Sequence, residues 1–409
     1  MKILAIANAH ALAHVSRLLE IAKVLRMRGH EVAFAGHGKY LPIAGGDGFA
    51  IHALPYISVE RVVEAVRSQK LWILYREAEL ETFIDAELAL YRSTQPDLVL
   101  LDNRPSARTS ADIAGIPTAA VLNVHMSNYR RIPFFSYRQL TGGLPGMALA
   151  DRLENAIERQ VYDRLVMGGL NTIRKKRGLK RRYAYEHEAG DLSLLADIPE
   201  FNPVNALPLH ARIIGPLTWH NTLPPPACLE KLDPSKPTAY FTLGSEGLDE
   251  LVAHLGKLTE QGVQIVVAAG ATNLTDLKVP AGVFLEQYIN TDALLPHCDL
   301  VCCHGGNGTL YQALGHGLPC VVVATHAEQH YGGKRIHELG LGRSLTLKQL
   351  KRSGMGKLVD AVQQVLATPA YRARAAAFSK HLKSGDSAAR AADAIEQTFR
   401  STPPHATSA

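Results

Sequence analysis

The stretch that most constrains this chain runs from Leu294 to Gly342, LLPHCDLVCCHGGNGTLYQALGHGLPCVVVATHAEQHYGGKRIHELGLG. It alternates short apolar runs with glycine-rich turns. Leu300 to Cys303 predicts the end of a buried strand; Gly305, Gly306 and Gly308 form the turn, and Thr309 to Leu314 starts a helix. A loop of this build lets the backbone approach a ligand closely and aims free N–H groups and the positive end of a helix dipole at it, which suits a phosphate. Cys320 to Val323 repeats the arrangement, followed by a loop with His326, Glu328, Gln329 and His330 and a helix through Ile336. Consecutive strand ends place their loops on one side of a parallel sheet, where open α/β sheets hold ligands. Any single glycine could serve a buried turn. The set is harder to explain so, because His304, Asn307, Glu328 and Gln329 crowd polar groups beside apolar strands.

With 409 residues the chain is long enough for two domains, and 46% hydrophobic and 20% charged residues describe a globular rather than a disordered protein. Five cysteines without a CxxC pair read as buried thiols in a reducing compartment, not as a disulfide framework or a metal site. MKILAIANAHALAH reads as a first strand rather than a signal peptide, and no apolar stretch reaches the roughly 20 residues of a bilayer span. The expectation is a cytoplasmic protein, with room for peripheral contact at the inner membrane; oligomeric state is not encoded in any motif here. The net charge of +6 is partly local, since RKKRGLKRR from Arg174 to Arg182 has seven basic residues in nine. That run is either a solvated helix end or a patch for an anionic surface or acceptor. No nucleic-acid-binding signature accompanies it, so nucleic acid is not an expected partner.

Read in order, Lys2 to Ala7 is a strand, a loop holds His10 and His14, and a helix spans about Val15 to Arg28 with Leu18, Ile21, Ala22 and Leu25 on its buried face. Gly29 ends it and Glu31 to Ala35 returns as a strand, a βαβ opening. Arg17 and Glu20 face either solvent or the site. Ser58 to Tyr91 reads as mostly helix, and Asp97 to Leu101 as a strand ending at Asp102, which is either a helix cap or a site carboxylate. After the strand Thr118 to Leu122 come Asn123, His125, Asn128 and Tyr129, at the same end of the sheet.

Arg130 to Arg182 departs from α/β alternation. Phe134, Phe135 and Tyr137, then a helix expected over Ala148 to Ile173, make this a candidate for acceptor recognition, unless the aromatics pack on their own helix. With His10, His125 and Tyr129 they form the candidate acceptor set. Residues 1–218 then make an N-terminal acceptor-binding domain, and the proline-rich 219–238 a linker. Residues 239–370 make a C-terminal donor-binding domain, 371–399 a helical segment able to pack back on the first domain, and 400–409 a loose tail. The architecture is α/β: two doubly wound, Rossmann-like domains expected to face one another across a cleft.

The HGG-N-GT segment, the following ALGHGLP and the EQ pair before KRIHELGLG, together with AHVSRLLEIAKVLRMRGHEV near the N-terminus, resemble nucleotide-sugar glycosyltransferases of the GT-B architecture, in the family of UDP-glycosyltransferases and macrolide glycosyltransferases. The resemblance implies that His304, with Gly306, Asn307, Gly308 and Thr309, contacts the donor diphosphate, where N–H groups and a helix N-terminus stabilise the leaving group's growing charge. It implies that Ser245 lies on the other phosphate-side loop, that Tyr288 stacks on the base unless it is a core tyrosine, and that Ile289 meets the base through its backbone. Glu328 and Gln329 match the pair that holds sugar hydroxyls, with Glu328 where aspartate is usual, Gln312 replacing an acidic or small residue, and Gly332 standing for a frequent asparagine.

His14 matches the family's general base, with Ala13 and Arg17 in place of the usual glycine and proline, and Asp102 the carboxylate that orients it. His10 is a backup base. The implied reaction is inverting transfer of a sugar from a UDP- or dTDP-sugar to a hydroxyl of a small-molecule natural product or lipid. No cofactor is implied beyond that co-substrate, and no metal. An epimerase or hydrolase of similar fold, and a non-catalytic nucleotide-binding partner protein, are the alternatives.

Overall fold

A computed structural model of the chain describes residues 1–68, 70–133, 146–220, 223–242, 249–270, 274, 278–383 and 385–399. The chain divides into two compact units, Met1–Leu217 joined by the segment from Asp386, and Thr218–Gly385.

The first unit is built on seven strands: β1 Lys2–Asn8, β2 Glu31–His37, β3 Ala50–Ala53, β4 Leu98–Asp102, β5 Thr118–Leu122, β6 Leu192–Leu195 and β7 Ala211–Ile213. They lie in the order β3-β2-β1-β4-β5-β6-β7, every pairing parallel. β1, β4 and β5 are nearly all aliphatic because helices cover both faces of a parallel sheet. The Leu12–Met27 helix buries Val15, Leu18, Leu19, Ile21, Ala22 and Leu25 against one face, and Gly29, at φ +83°, turns the chain into β2. β1 and β4 are neighbours with Ala7 opposite Asp102, so strand order reverses between them. Loops leaving the two strand ends part there and open a crevice.

The last described helix, Ser387–Phe399, completes this unit: Ala388, Ala391, Ala392 and Ile395 join the core of the first helix. Arg28 reaches Asp393 at 2.7 Å and Glu396 at 3.0 Å, His30 Nε2 meets Glu396 at 2.7 Å, and Arg390 donates to the Ile214 carbonyl at 2.7 Å. The preceding helix, Pro369–Leu382, packs instead on the Asn307–Gly315 helix of the second unit.

Where one helix is expected over Ala148 to Ile173, two occur, Met147–Leu165 and Met167–Lys176. Gly168 and Gly169 weaken the helix at the junction, and a Cβ on Gly169 would stand 2.7 Å from the Tyr75 carbonyl, so the second piece needs glycine to seat there. The basic run beyond it is largely structural. Arg174, 3% exposed, holds Asp112 at 2.8 Å with Arg182 at 2.9 Å; Lys176 bridges Glu77 and Glu81, and Arg177 meets Asp85. Burial alone would raise the Asp112 carboxyl, but Arg108, Arg182 and Arg174 together hold it below its ordinary range.

A fully buried ion pair fixes the start of the Pro105–Ala114 helix. Arg104 Nε donates to Glu87 at 2.5 Å, Ser106 and Ser110 donate to the same carboxylate, and the guanidinium lies 4.8 Å over the Tyr56 ring. Removing one member strands the other charge away from water, so Arg104→Met is expected to cost about 3–5 kcal/mol in urea unfolding.

The second unit carries β8 Thr238–Thr242, β9 Gln264–Ala268, β10 Val283–Glu286, β11 Leu300–Cys303, β12 Cys320–Ala324 and β13 Gly342–Thr346, in the order β10-β9-β8-β11-β12-β13 and again parallel. The reversal here lies between β8 and β11. β13 and the Leu347–Ser353 helix have no counterpart in the sequence reading, because GRSLT lacks a run of apolar residues; the helix starts on a Thr346–Gln349 capping box. Among the described residues no helix is long and apolar enough to cross a membrane.

Candidate active site

In the first unit the end of β4 meets the first turns of the Leu12–Met27 helix. His14 Nδ1 lies 2.7 Å from Asp102 Oδ1, with Asp102 1% exposed and the His14 side chain 21% exposed. A carboxylate only accepts, so Nδ1 carries the proton and the Nε2 lone pair is left free. Arg17 forks the same carboxylate, Nε to Oδ2 at 2.9 Å and Nη2 to Oδ1 at 2.7 Å, and its Nη1 donates to Asn123 Oδ1 at 2.6 Å. Arg17 Nη2 also stands 3.3 Å from His14 Nδ1. Two donors cannot share a hydrogen bond, and the shorter contact to the carboxylate decides the tautomer. Asp102 therefore belongs to both a histidine and a buried arginine, and the cap alternative gives way: no side-chain cap bond is present at the start of the Pro105–Ala114 helix.

Of the two placements the sequence allows Arg17, solvent or site, the fold takes the site: it reaches Asp102 at the end of β4, which the proline usual at this position could not do. Glu20, the other residue in question, pairs with Lys23 at 3.1 Å. Beside the dyad, Asn8 donates to Asn103 at 2.9 Å and Asn103 donates to Glu188 at 3.0 Å, extending a polar row along the strand ends.

His10 donates through Nε2 to the Ile57 carbonyl at 2.7 Å and stacks on Tyr56 with centroids 5.8 Å apart. Burial, the largest influence, lowers its pKa. Its ring also lines an open, mainly apolar pocket of about 530 Å³ with His37, Leu41 and Ile51. His125 is 1% exposed, and Tyr129 is half-buried with its hydroxyl 3.2 Å from His210 Nε2. Phe134, Phe135 and Tyr137 lie outside the described residues, as does Ser245.

An aromatic group the sequence reading missed lies nearby in the fold: His187 between Tyr75 and Tyr162, with centroids 6.0 and 5.8 Å away, and Tyr185 4.9 Å from Tyr162. These residues come from three separated segments, so no local spacing announces them. Burial, with Arg182 adding repulsion, lowers the His187 pKa to about 3. The unfolded chain takes up this proton near pH 6.5 and the folded one does not, so stability is complete above that pH and falls as pH drops toward 3. His187→Phe is expected to flatten this slope, losing about 3 kcal/mol less than the native protein between pH 7 and pH 4 in chemical denaturation.

In the second unit, β11 ends at Cys303 and the Asn307–Gly315 helix begins four residues on. Gly305 adopts φ +98°, and a Cβ there would meet Val322 Cγ1 at 2.7 Å and the Gln329 carbonyl at 2.9 Å, so only glycine fits. The His304 ring lies over Gly306, which caps the helix without supplying a side-chain acceptor. The first turn thus directs the backbone N–H groups of Asn307, Gly308 and Thr309 outward from the helix start, the arrangement that binds anions. Gly332 faces this loop, and a Cβ on it would lie 2.5 Å from the Gly305 carbonyl, which leaves no room for the asparagine common at that position.

Glu328 sits in the first turn of the Ala327–Glu338 helix; Gln329, 2% exposed, accepts from Thr325 N at 2.9 Å and Thr325 Oγ1 at 2.8 Å, holding the loop after β12. Tyr288 is 47% exposed beyond the end of β10, which removes the core alternative, while Ile289 is buried. Gln312 donates to the Trp219 carbonyl at 3.2 Å and to Thr291 at 3.1 Å.

Residues 251–397 match the family described as Erythromycin biosynthesis protein CIII-like, C-terminal domain. A PGL/p-HBAD biosynthesis rhamnosyltransferase of Mycobacterium bovis is 32% identical over 382 residues, 92% of this chain and 83% of that protein. The chain belongs to the nucleotide-sugar glycosyltransferases. A PGL/p-HBAD biosynthesis glycosyltransferase of Mycobacterium tuberculosis aligns with this glycosyltransferase along its whole length, at 30% identity over 417 residues and 92% of the relative. Its fold is that of the GT-B enzymes: the crystal structure of CalG4, the calicheamicin glycosyltransferase, superposes with a TM-score of 0.69 at 21% identity, over 98% of this chain and 99% of the other.

Proposed function

We propose that this glycosyltransferase moves a sugar from a nucleoside diphosphate to a hydroxyl of a lipid or natural-product acceptor, with inversion at the anomeric carbon. The observation that carries the reading is the 2.7 Å contact between His14 Nδ1 and buried Asp102. It leaves Nε2 to take the acceptor proton as the acceptor oxygen attacks, while Asp102 supports the imidazolium that forms. Direct displacement from one face inverts the centre and needs no protein nucleophile. On the donor side His304 and the N–H groups of Asn307, Gly308 and Thr309 would receive the diphosphate as its charge grows. Tyr288 would stack on the base, with Ile289 meeting it through the backbone and Glu328 and Gln329 holding the sugar.

Similarity to the mycobacterial rhamnosyltransferase makes a nucleoside diphosphate rhamnose the first donor to try, with lipid and natural-product hydroxyl compounds as acceptors. The lipid end of that range would bring the enzyme to a membrane surface. The test is mass-spectrometric turnover of UDP-, dTDP- and GDP-sugars with pooled hydroxylated acceptors and an acceptor-free control. A sugar-mass increase on an acceptor, coupled to nucleotide release, is the expected result. Donor consumption without an acceptor product would replace transfer by hydrolysis or epimerisation.

A further inference from the structure

The Met147–Leu165 helix is amphipathic in the wrong sense for a helix that only covers its own domain. Leu149, Leu153, Ile157, Val161 and Leu165, four residues apart, are 62, 56, 58, 48 and 46% exposed. Side chains at that spacing form one slanting outward stripe. The inward side is polar: Glu158 holds Arg130 at 2.7 Å and accepts from the Tyr185 hydroxyl, Asp163 accepts from the Ala184 backbone N–H, and Tyr162 stacks on Tyr185. Glu158 and Asp163 are thus spent inside the fold. Arg152, Arg159 and Arg164 are exposed and pair with no carboxylate among the described residues.

We propose that this face docks on an anionic lipid surface. An aliphatic stripe accompanied by exposed arginines, with Glu158 and Asp163 turned away, is the pattern of a helix lying in the plane of a membrane interface. Arginine stems run along the apolar zone while their heads reach lipid phosphates. A second copy of the same face is a poorer occupant, because self-pairing would bring three arginines of each copy together, against fewer carboxylates, since Glu158 and Asp163 are bonded inward. The inference stands on the helix alone and does not depend on the acceptor assigned above.

The test is flotation of the full-length protein with acceptor-free vesicles of phosphatidylcholine, alone or mixed equally with phosphatidylglycerol. Binding to the anionic vesicles is expected to be on the order of tenfold stronger or more, and to weaken with salt. The triple variant Leu153→Ser, Ile157→Ser, Val161→Ser should lose it, as should Arg152→Gln, Arg159→Gln, Arg164→Gln, both keeping native circular dichroism and nucleotide binding because the replaced side chains are exposed. Absence of binding by the native protein overturns the proposal, as does equal binding by either variant. A native dimer that the serine variant converts to a monomer in light scattering would assign the face to self-association instead.

Discussion

Replacing His14 by alanine is expected to lower sugar transfer about 10²–10⁴-fold while nucleotide affinity stays unchanged. In the proposed mechanism its Nε2 is the group that would take the proton, and a side chain 21% exposed means that truncation disturbs little packing. The glycine loop after β11, proposed to receive the diphosphate, belongs to a different sheet, so titration with the nucleoside diphosphate should report a native dissociation constant. Normal turnover by His14→Ala would remove it as the base; lost nucleotide binding would show damage beyond the base.

The second large effect is at Asp102, where catalysis and stability are coupled. Asp102→Asn should reduce transfer by a comparable factor, because a neutral amide no longer fixes the Nδ1–H tautomer or supports the imidazolium. It should also cost about 3–5 kcal/mol in urea unfolding, because Arg17, 8% exposed, loses the carboxylate that compensates it. The two consequences can be separated. Replacing the pair together, Arg17→Met with Asp102→Leu, should recover much of the stability, since well-packed apolar residues often substitute for a buried ion pair without loss. Transfer should stay low. Recovery of transfer in the double variant would mean that the carboxylate serves the fold alone.

Strand positions were legible because a parallel sheet covered on both faces writes itself as unbroken aliphatic runs: Leu300–Cys303 and Thr118–Leu122 fall where the sequence puts them. β13 was not, since Arg343, Ser344 and Thr346 give it no such run. The glycine turn after β11 was readable because its requirement is local, a positive φ at Gly305 and a helix start without a side-chain cap bond. His14 and Asp102 stand 88 residues apart and were joined through family resemblance. Arg17 had no such guide: a basic residue in a surface helix is ordinarily solvated, and only the register of β1 beside β4 brings it to the carboxylate. The basic run at Arg174 to Arg182 was the reverse case, conspicuous in sequence yet mostly consumed by Asp112, Glu77, Glu81 and Asp85, carboxylates 62 to 99 residues away.

The Ser387–Phe399 helix sets a schedule for the protein's birth. Its alanines and Ile395 fill the core beside Leu18 and Leu25, so residues of the first helix wait for residues made after the whole of Thr218–Gly385. Meanwhile Thr218–Gly385 leaves the ribosome as an uninterrupted stretch and can settle first. Until that helix is in place, the first helix lacks the apolar neighbours that Ala388, Ala391, Ala392 and Ile395 supply. The unit that would activate the acceptor is thus the first to be begun and the last to be completed.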